Sequence, residues 1–218
     1  MLKKVEDNSD YETYFALSRP EMQVFVPKSA KRILEVGCGV GHFAKAIKSI
    51  IDCEYWGIEP YSPAADTAEN VVDKIFKSNF DEAYPQLPEN YFDCVIFNDV
   101  LEHLTNPFDT LEKLYKILPN GAKIISSVPN VRYAGNMLDL LIKRDWEYRH
   151  EGGILDFTHL RFFTKKSTIR MFETCGFKII TIEGINPIPN YKFIPFNILT
   201  LGLFSDGKYL QYAVVAEK

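Results

Sequence analysis

The sequence predicts a doubly wound α/β fold, a mostly parallel sheet with helices on both faces, and three observations lead there. Short apolar runs alternate with helix-like segments at 32–36, 54–58, 74–77, 93–97 and 122–128, the pattern of parallel strands joined by crossover helices. The first run passes into Gly37, Gly39 and Gly41, three glycines at every second position where a strand gives way to a helix. The second run ends in an acid, Glu59, 18 residues after Gly41. In this fold class the end of the second strand lies beside the first strand-to-helix turn.

Each element has its own signal. Ile33 to Val36 is an apolar strand, and the glycines after it allow positive φ and close approach of the backbone to a ligand. Phe43, Ala44, Ala46, Ile47 and Ile50 then recur at helical spacing. Ser62-Pro63 reads as an N-cap followed by proline at the first helical position. After Asn106-Pro107, the residues Phe108, Leu111, Leu114, Tyr115 and Leu118 mark a helix that Pro119-Asn120-Gly121 stops. Thr164 is a good N-cap for a helix carrying Ile169, Met171 and Phe172, and Gly176 ends it. A sixth strand at 177–183 and a seventh at 208–217 are joined by residues 184–207, in which no clear helix is read.

Length and composition bound the function. With 218 residues the chain suffices for one α/β domain with a sizeable core. Two segments lie outside the strand–helix alternation, an N-terminal cap at 1–31 (with Tyr11, Tyr14 and Phe15) and an insertion at 129–163. Both fall where parallel strands end, the ligand side of such sheets, so 129–163 is expected to be a substrate-side lid. The formal net charge of −4 argues against a large nucleic-acid footprint. The four cysteines form no C-x-x-C pair and have no histidine at zinc spacing, so they are expected to be reduced, no metal site is expected, and a cytoplasmic location fits. The N-terminus shows no secretory h-region, and the apolar stretch 193–204 is too short and too interrupted to span a bilayer. That stretch, within an apolar loop or lid at 184–207, is read as packing or dimer contact, with a pocket for a lipid-linked acceptor as the other reading.

The glycine turn differs from a dinucleotide fingerprint. That fingerprint requires G-x-G-x-x-G, and His42 stands at its third glycine position. With Glu35 before it, the pattern is E-x-G-x-G-x-G across Glu35, Gly37, Cys38, Gly39 and Gly41. This resembles motif I of class I S-adenosylmethionine (SAM)-dependent methyltransferases. Further strings extend the resemblance over nearly the whole chain: Glu59-Pro60, Ser78-Asn79-Phe80-Asp81, Asn98-Asp99-Val100-Leu101-Glu102-His103, and the run from Gly152 to Thr164. The last string is similar to one found in methyltransferases of sugar and cell-surface polysaccharide pathways. The N-P-P-Y or D-P-P-Y signature of nucleic-acid amino methyltransferases is absent after the fourth strand.

The resemblance implies a Rossmann-like, seven-stranded, mostly parallel sheet with helices on both faces and an antiparallel last strand. It implies SAM as cofactor, leaving S-adenosylhomocysteine as product. Glu35, Gly37, Cys38, Gly39, Gly41, Glu59, Pro60, Asn79, Phe80, Asn98 and Asp99 would contact it: Glu59 the ribose hydroxyls, Asn79 and Phe80 the adenine, and Asn98 the methionine part. Methyl transfer is an in-line displacement in which orientation alone contributes roughly 7–11 kcal/mol. A sugar hydroxyl as nucleophile favours a general base within hydrogen-bond reach. His159 is the first candidate, with Asp156 to orient its imidazole, and His103 is the second; a lid-fixing role for His159 and a half-buried, backbone-bonded role for His103 remain open. Arg132 and Arg161 are candidates for gripping a phosphate or carboxylate of the acceptor. The expected reaction is O-methylation of a nucleotide-linked or glycan sugar. The alternatives are an amino sugar, a quinone-like acceptor, or SAM binding without turnover.

Overall fold

The computed structural model describes residues 18–150 and 152–218; Tyr11, Tyr14, Phe15 and most of the N-terminal cap lie outside the described residues. Seven strands form one sheet: β1 (Arg32–Val36), β2 (Glu54–Ile58), β3 (Lys74–Phe76), β4 (Cys94–Asn98), β5 (Lys123–Pro129), β6 (Lys178–Pro187) and β7 (Tyr209–Glu217). Their order is β3-β2-β1-β4-β5-β7-β6. The first five strands run parallel, and β7 inserts antiparallel between β5 and β6. The order reverses at β1, where β2 and β4 flank it on opposite sides, and a ligand crevice forms at the carboxyl ends of strands at such a point.

Alternate residues of the central strands serve two cores, because successive side chains of a strand point to opposite faces. Leu34, Val36, Val95, Phe97, Ile124 and Val214 pack with Leu111 and Leu114 of the helix Pro107–Ile117 and with Met171 and Phe172 of the helix Lys165–Thr174. Ile33, Tyr55, Cys94, Ile96, Ile125 and Val215 pack on the other face with Phe43, Ala44 and Ile47 of the helix His42–Lys48. Burial on both faces explains why β4 reads Cys-Val-Ile-Phe without a polar break. Each large apolar side chain so buried contributes about 1.5–3 kcal/mol.

Local expectations meet small revisions. The helix Ser62–Ala68 begins one residue earlier than read, with Tyr61 at the N-cap and Pro63 inside the first turn. Thr164 closes a full capping box with Ser167. The region 184–207 is not a loop: β6 continues to Pro187 and a helix runs over Asn190–Leu199. Its apolar residues hid a 3.6-residue period because they surround the helix rather than line one face. Phe193 is buried, whereas Tyr191, Ile194, Ile198 and Leu199 are exposed. No helix among the described residues is long and apolar enough to cross a membrane.

Candidate active site

At the crevice beside β1 lies a cavity of about 540 Å³. The glycine turn forms its floor. Gly37 has φ +74, and a Cβ there would come within 2.6 Å of the Val100 side chain, so glycine is required on both counts. Gly41, the last of the three, does not line the cavity. Its φ of +83 starts the helix His42–Lys48, and it packs on Ala68 and Val71.

Two buried acids flank the turn. The carboxylate of Glu59 accepts hydrogen bonds from the backbone N–H of Gly39 and of Tyr61, each 2.9 Å long, which holds the end of β2 against the glycine turn. Burial raises its pKa despite these bonds. Beneath the turn, Glu35 accepts from the Tyr55 hydroxyl at 2.8 Å and from Asn98 Nδ2 at 3.1 Å. Desolvation pushes its pKa up to about 7, against the opposing pull of those two bonds. Asn98 thereby spends its amide N–H on Glu35 and leaves Oδ1 buried with no partner. An orphaned buried acceptor calls for a donor, from water or from a ligand.

The remaining strand ends complete one wall. Asn79 caps the short helix Phe80–Ala83, its side chain accepting from the Glu82 N–H, and this turns Phe80 onto the cavity. Pro60 and Cys38 also line it. Asp99 sits at φ +55 at the carboxyl end of β4. Its carboxylate is engaged by Ser127 Oγ at 2.7 Å, Gln211 Nε2 at 2.8 Å and the Arg19 guanidinium. Arg19 was not among the site residues expected from the sequence. Its local bond to Glu21 does not reveal the site, because its other partners lie on β5, β7 and the β4 turn.

The insertion after β5 is laced to the turn after β4. The Glu102 carbonyl accepts the backbone N–H groups of Leu160 and Arg161, and His103 Nδ1 lies 3.2 Å from the Thr158 carbonyl. The Thr158 hydroxyl also lies 3.1 Å from this nitrogen but donates its own proton to Asp156, and a carbonyl only accepts, so the proton sits on Nδ1 and the His103 lone pair on Nε2. His159 Nδ1 is likewise 2.9 Å from the Ile154 carbonyl. The two imidazoles meet edge to face with centroids 4.7 Å apart. Of the two expected bases, His103 lines the cavity and His159 does not. Desolvation first, and then His159, lower the His103 pKa, so the ring is neutral near physiological pH.

Three further expectations are revised. Asp156 does not orient His159, because its carboxylate accepts from the N–H and hydroxyl of Thr158. Arg132 is turned away from the cavity, bound to Asp206 at 2.7 Å and to the Leu203 carbonyl. Arg161 donates to the Leu160 and Thr105 carbonyls and does not reach the cavity either. Backbone carbonyls, and for Arg132 an acid 74 residues along the chain, take up these guanidinium groups. Glu102 was not singled out. It is wholly buried, and neither carboxylate oxygen has a hydrogen-bond partner. Desolvation pushes its pKa well above the carboxylate range.

A protein-family profile described as a methyltransferase domain matches residues 11–182. Among curated proteins the chain is similar to an uncharacterized protein of Methanocaldococcus jannaschii, 27% identical over 156 residues covering 71% of this chain and 67% of that one. It is also similar to the mitochondrial ubiquinone biosynthesis O-methyltransferase of Rattus norvegicus, 24% identical over 177 residues. That match covers 76% of this chain and half the length of the rat protein. In three dimensions a SAM-dependent methyltransferase from Archaeoglobus fulgidus superposes with a TM-score of 0.72 at 22% identity, covering 95% of this chain and 94% of that one. At that identity the likeness is one of fold.

Proposed function

The chain belongs to the methyltransferase-domain family, and from that premise we propose that it transfers the methyl group of SAM to a hydroxyl of a small acceptor. One observation carries the reading. Residues from four separate strand ends, the glycine turn, Glu59, Asn79-Phe80 and Asn98-Asp99, line a single cavity. The residues fit the cofactor. Glu59, pinned by two backbone N–H groups, would take the ribose hydroxyls. Phe80 offers a flat apolar face to the adenine. The orphaned Oδ1 of Asn98 would accept from the cofactor's ammonium, and Glu35 beneath it would complement that positive charge.

SAM supplies an electrophilic methyl on its sulfonium. The chain's own part is to orient and to exclude water. His103 stands at the cavity wall as the neutral group that engages the acceptor oxygen, with its tautomer set by Thr158. The acceptor we propose first is a sugar, supported by the likeness of the 152–164 string to sugar-pathway methyltransferases. The resemblance to a ubiquinone O-methyltransferase supports a phenolic hydroxyl as the second reading. A cytoplasmic location remains the expectation from its reduced cysteines. Self-association through the apolar stretch 193–204 likewise remains an expectation.

Calorimetric titration with SAM and S-adenosylhomocysteine tests the cofactor reading on wild type and on Glu59→Ala. Micromolar binding to wild type that the substitution abolishes supports it, and no binding to wild type overturns it. His103→Ala is expected to bind SAM as wild type does and to lose turnover on a sugar or phenol panel. Unchanged turnover would remove His103 from the acceptor site.

A further inference from the structure

Glu102, His103 and His159 each offer one ligand atom, and the three atoms lie within 4.8 Å of one another. The sequence hides this arrangement, because His159 is 56 positions from His103 and the C-x-x-C and His spacings that mark zinc sites are absent. The fold assembles it through backbone bonds. Leu160 and Arg161 donate their N–H groups to the Glu102 carbonyl at 2.8 and 3.0 Å, which seats His159 against the turn after β4.

Three features of the cluster belong together. Both histidines have Nδ1 against a backbone carbonyl, Thr158 for His103 and Ile154 for His159. Each therefore presents an unprotonated Nε2, the state of a metal-ligating imidazole held by a carbonyl behind it. His159 Nε2 stands 4.0 Å from Glu102 Oε1, too far for a hydrogen bond. The Glu102 carboxyl is fully buried with neither oxygen partnered. A buried carboxyl in that state needs a partner, and an ion that displaced its proton would meet the His159 lone pair beside it.

We propose that Glu102, His103 and His159 form a site for one divalent transition-metal ion at the wall of the cavity. Two imidazole nitrogens and one carboxylate suit Zn(II), Fe(II) or Co(II) rather than the harder Ca(II) or Mg(II). Metal–ligand bonds of about 2.0–2.2 Å place neighbouring ligand atoms roughly 3.3 Å apart, so the present separations close by small side-chain rotations. His103 lines the cavity, which provides the entry path and leaves the open coordination positions for an oxygen ligand. The proposal rests on the methyltransferase reading only for its role: the ion would bind and polarise the acceptor oxygen, so His103 would engage that oxygen through the ion rather than as a free base.

The test uses tag-free, chelator-stripped full-length protein. Equilibrium dialysis against Zn(II) or Co(II), with metal quantified by mass spectrometry, is expected to give one ion per chain. The Co(II) form is expected to show visible d–d absorption. Glu102→Gln and His159→Gln should each weaken binding more than about 100-fold while retaining the wild-type circular dichroism. Should either variant fail to fold, X-ray absorption on Zn(II)-loaded wild type decides. A first shell with two imidazole nitrogens supports the site, and a sulfur-containing or all-oxygen shell overturns it. No uptake by wild type, or full uptake by folded variants, overturns it as well. SAM calorimetry on the stripped protein separates the two readings: SAM binding without metal uptake removes the metal site and keeps the methyltransferase, and metal uptake without SAM binding does the reverse.

Discussion

Glu35 shows how one buried side chain couples the site to solution conditions. Its pKa of about 7 lies above the ordinary carboxylate value because burial disfavours the charged form more than Tyr55 and Asn98 favour it. Between about pH 4.5 and 7 the folded chain holds a proton that the unfolded chain has lost, so stability falls as pH rises through that window. Glu35→Gln should remove that component, roughly 3 kcal/mol over the window. Denaturant melts at pH 5 and pH 8 measure it, and an unchanged difference in wild type and variant refutes it. Glu102 has a raised pKa of the same sign, so the variant keeps part of the slope. At Gly37 the constraint is steric. Gly37→Ala meets Val100 and a positive φ together, and it is expected to lower stability by about 1–3 kcal/mol and to abolish SAM binding in calorimetry.

At the scale of elements, the helix Asn190–Leu199 shows why apolar content alone does not place a segment. Phe193 is 6% exposed and Ile198 is 69% exposed. Phe193→Ala is expected to cost about 3–5 kcal/mol. Ile198→Asp should stay within about 0.5 kcal/mol of wild type in the same denaturant melt. Equal losses would mean that the helix packs on a different face. The helices with polar start signals were legible, because Asn106 and Thr164 each satisfy an orphan N–H of their own first turn, a contact decided within three residues. The helix 190–199 starts after Pro189 with no side-chain cap, so no such signal stood at its start.

Across the whole molecule, one network joins the N-terminal side of the sheet to its last strand. Arg19 bonds Glu21 at 2.6 Å and also reaches Asp99, Ser127 and Gln211, at the ends of β4, β5 and β7. Its side chain is only 10% exposed, so removal leaves Asp99 short of its counter-charge beside the cavity. Arg19→Ala is expected to destabilise by about 3–5 kcal/mol. Combined with Asp99→Asn, it should cost less than the two single losses added, with a coupling of about 0.5–3 kcal/mol in a double-mutant cycle. Additive losses would show that the two residues act independently.

What the sequence by itself determined was the local grammar: strands from apolar runs, the turn from glycines at every second position, and acids and amides at strand ends. In a parallel sheet those ends converge by topology, so Gly37, Glu59, Phe80 and Asn98 reach one cavity whatever the intervening loops do. Tertiary structure alone decided where the side chains of the insertion went. Arg132 and Arg161 looked like acceptor grips and were taken by Asp206 and backbone carbonyls. His159 came to lie against His103 and next to Glu102, and Arg19 found Asp99 across eighty residues. The physical reason is range. A cap or a glycine turn is satisfied within a few residues, whereas a buried charge or imidazole takes whichever partner the returning chain brings to it, and one sequence read in order carries no record of that return.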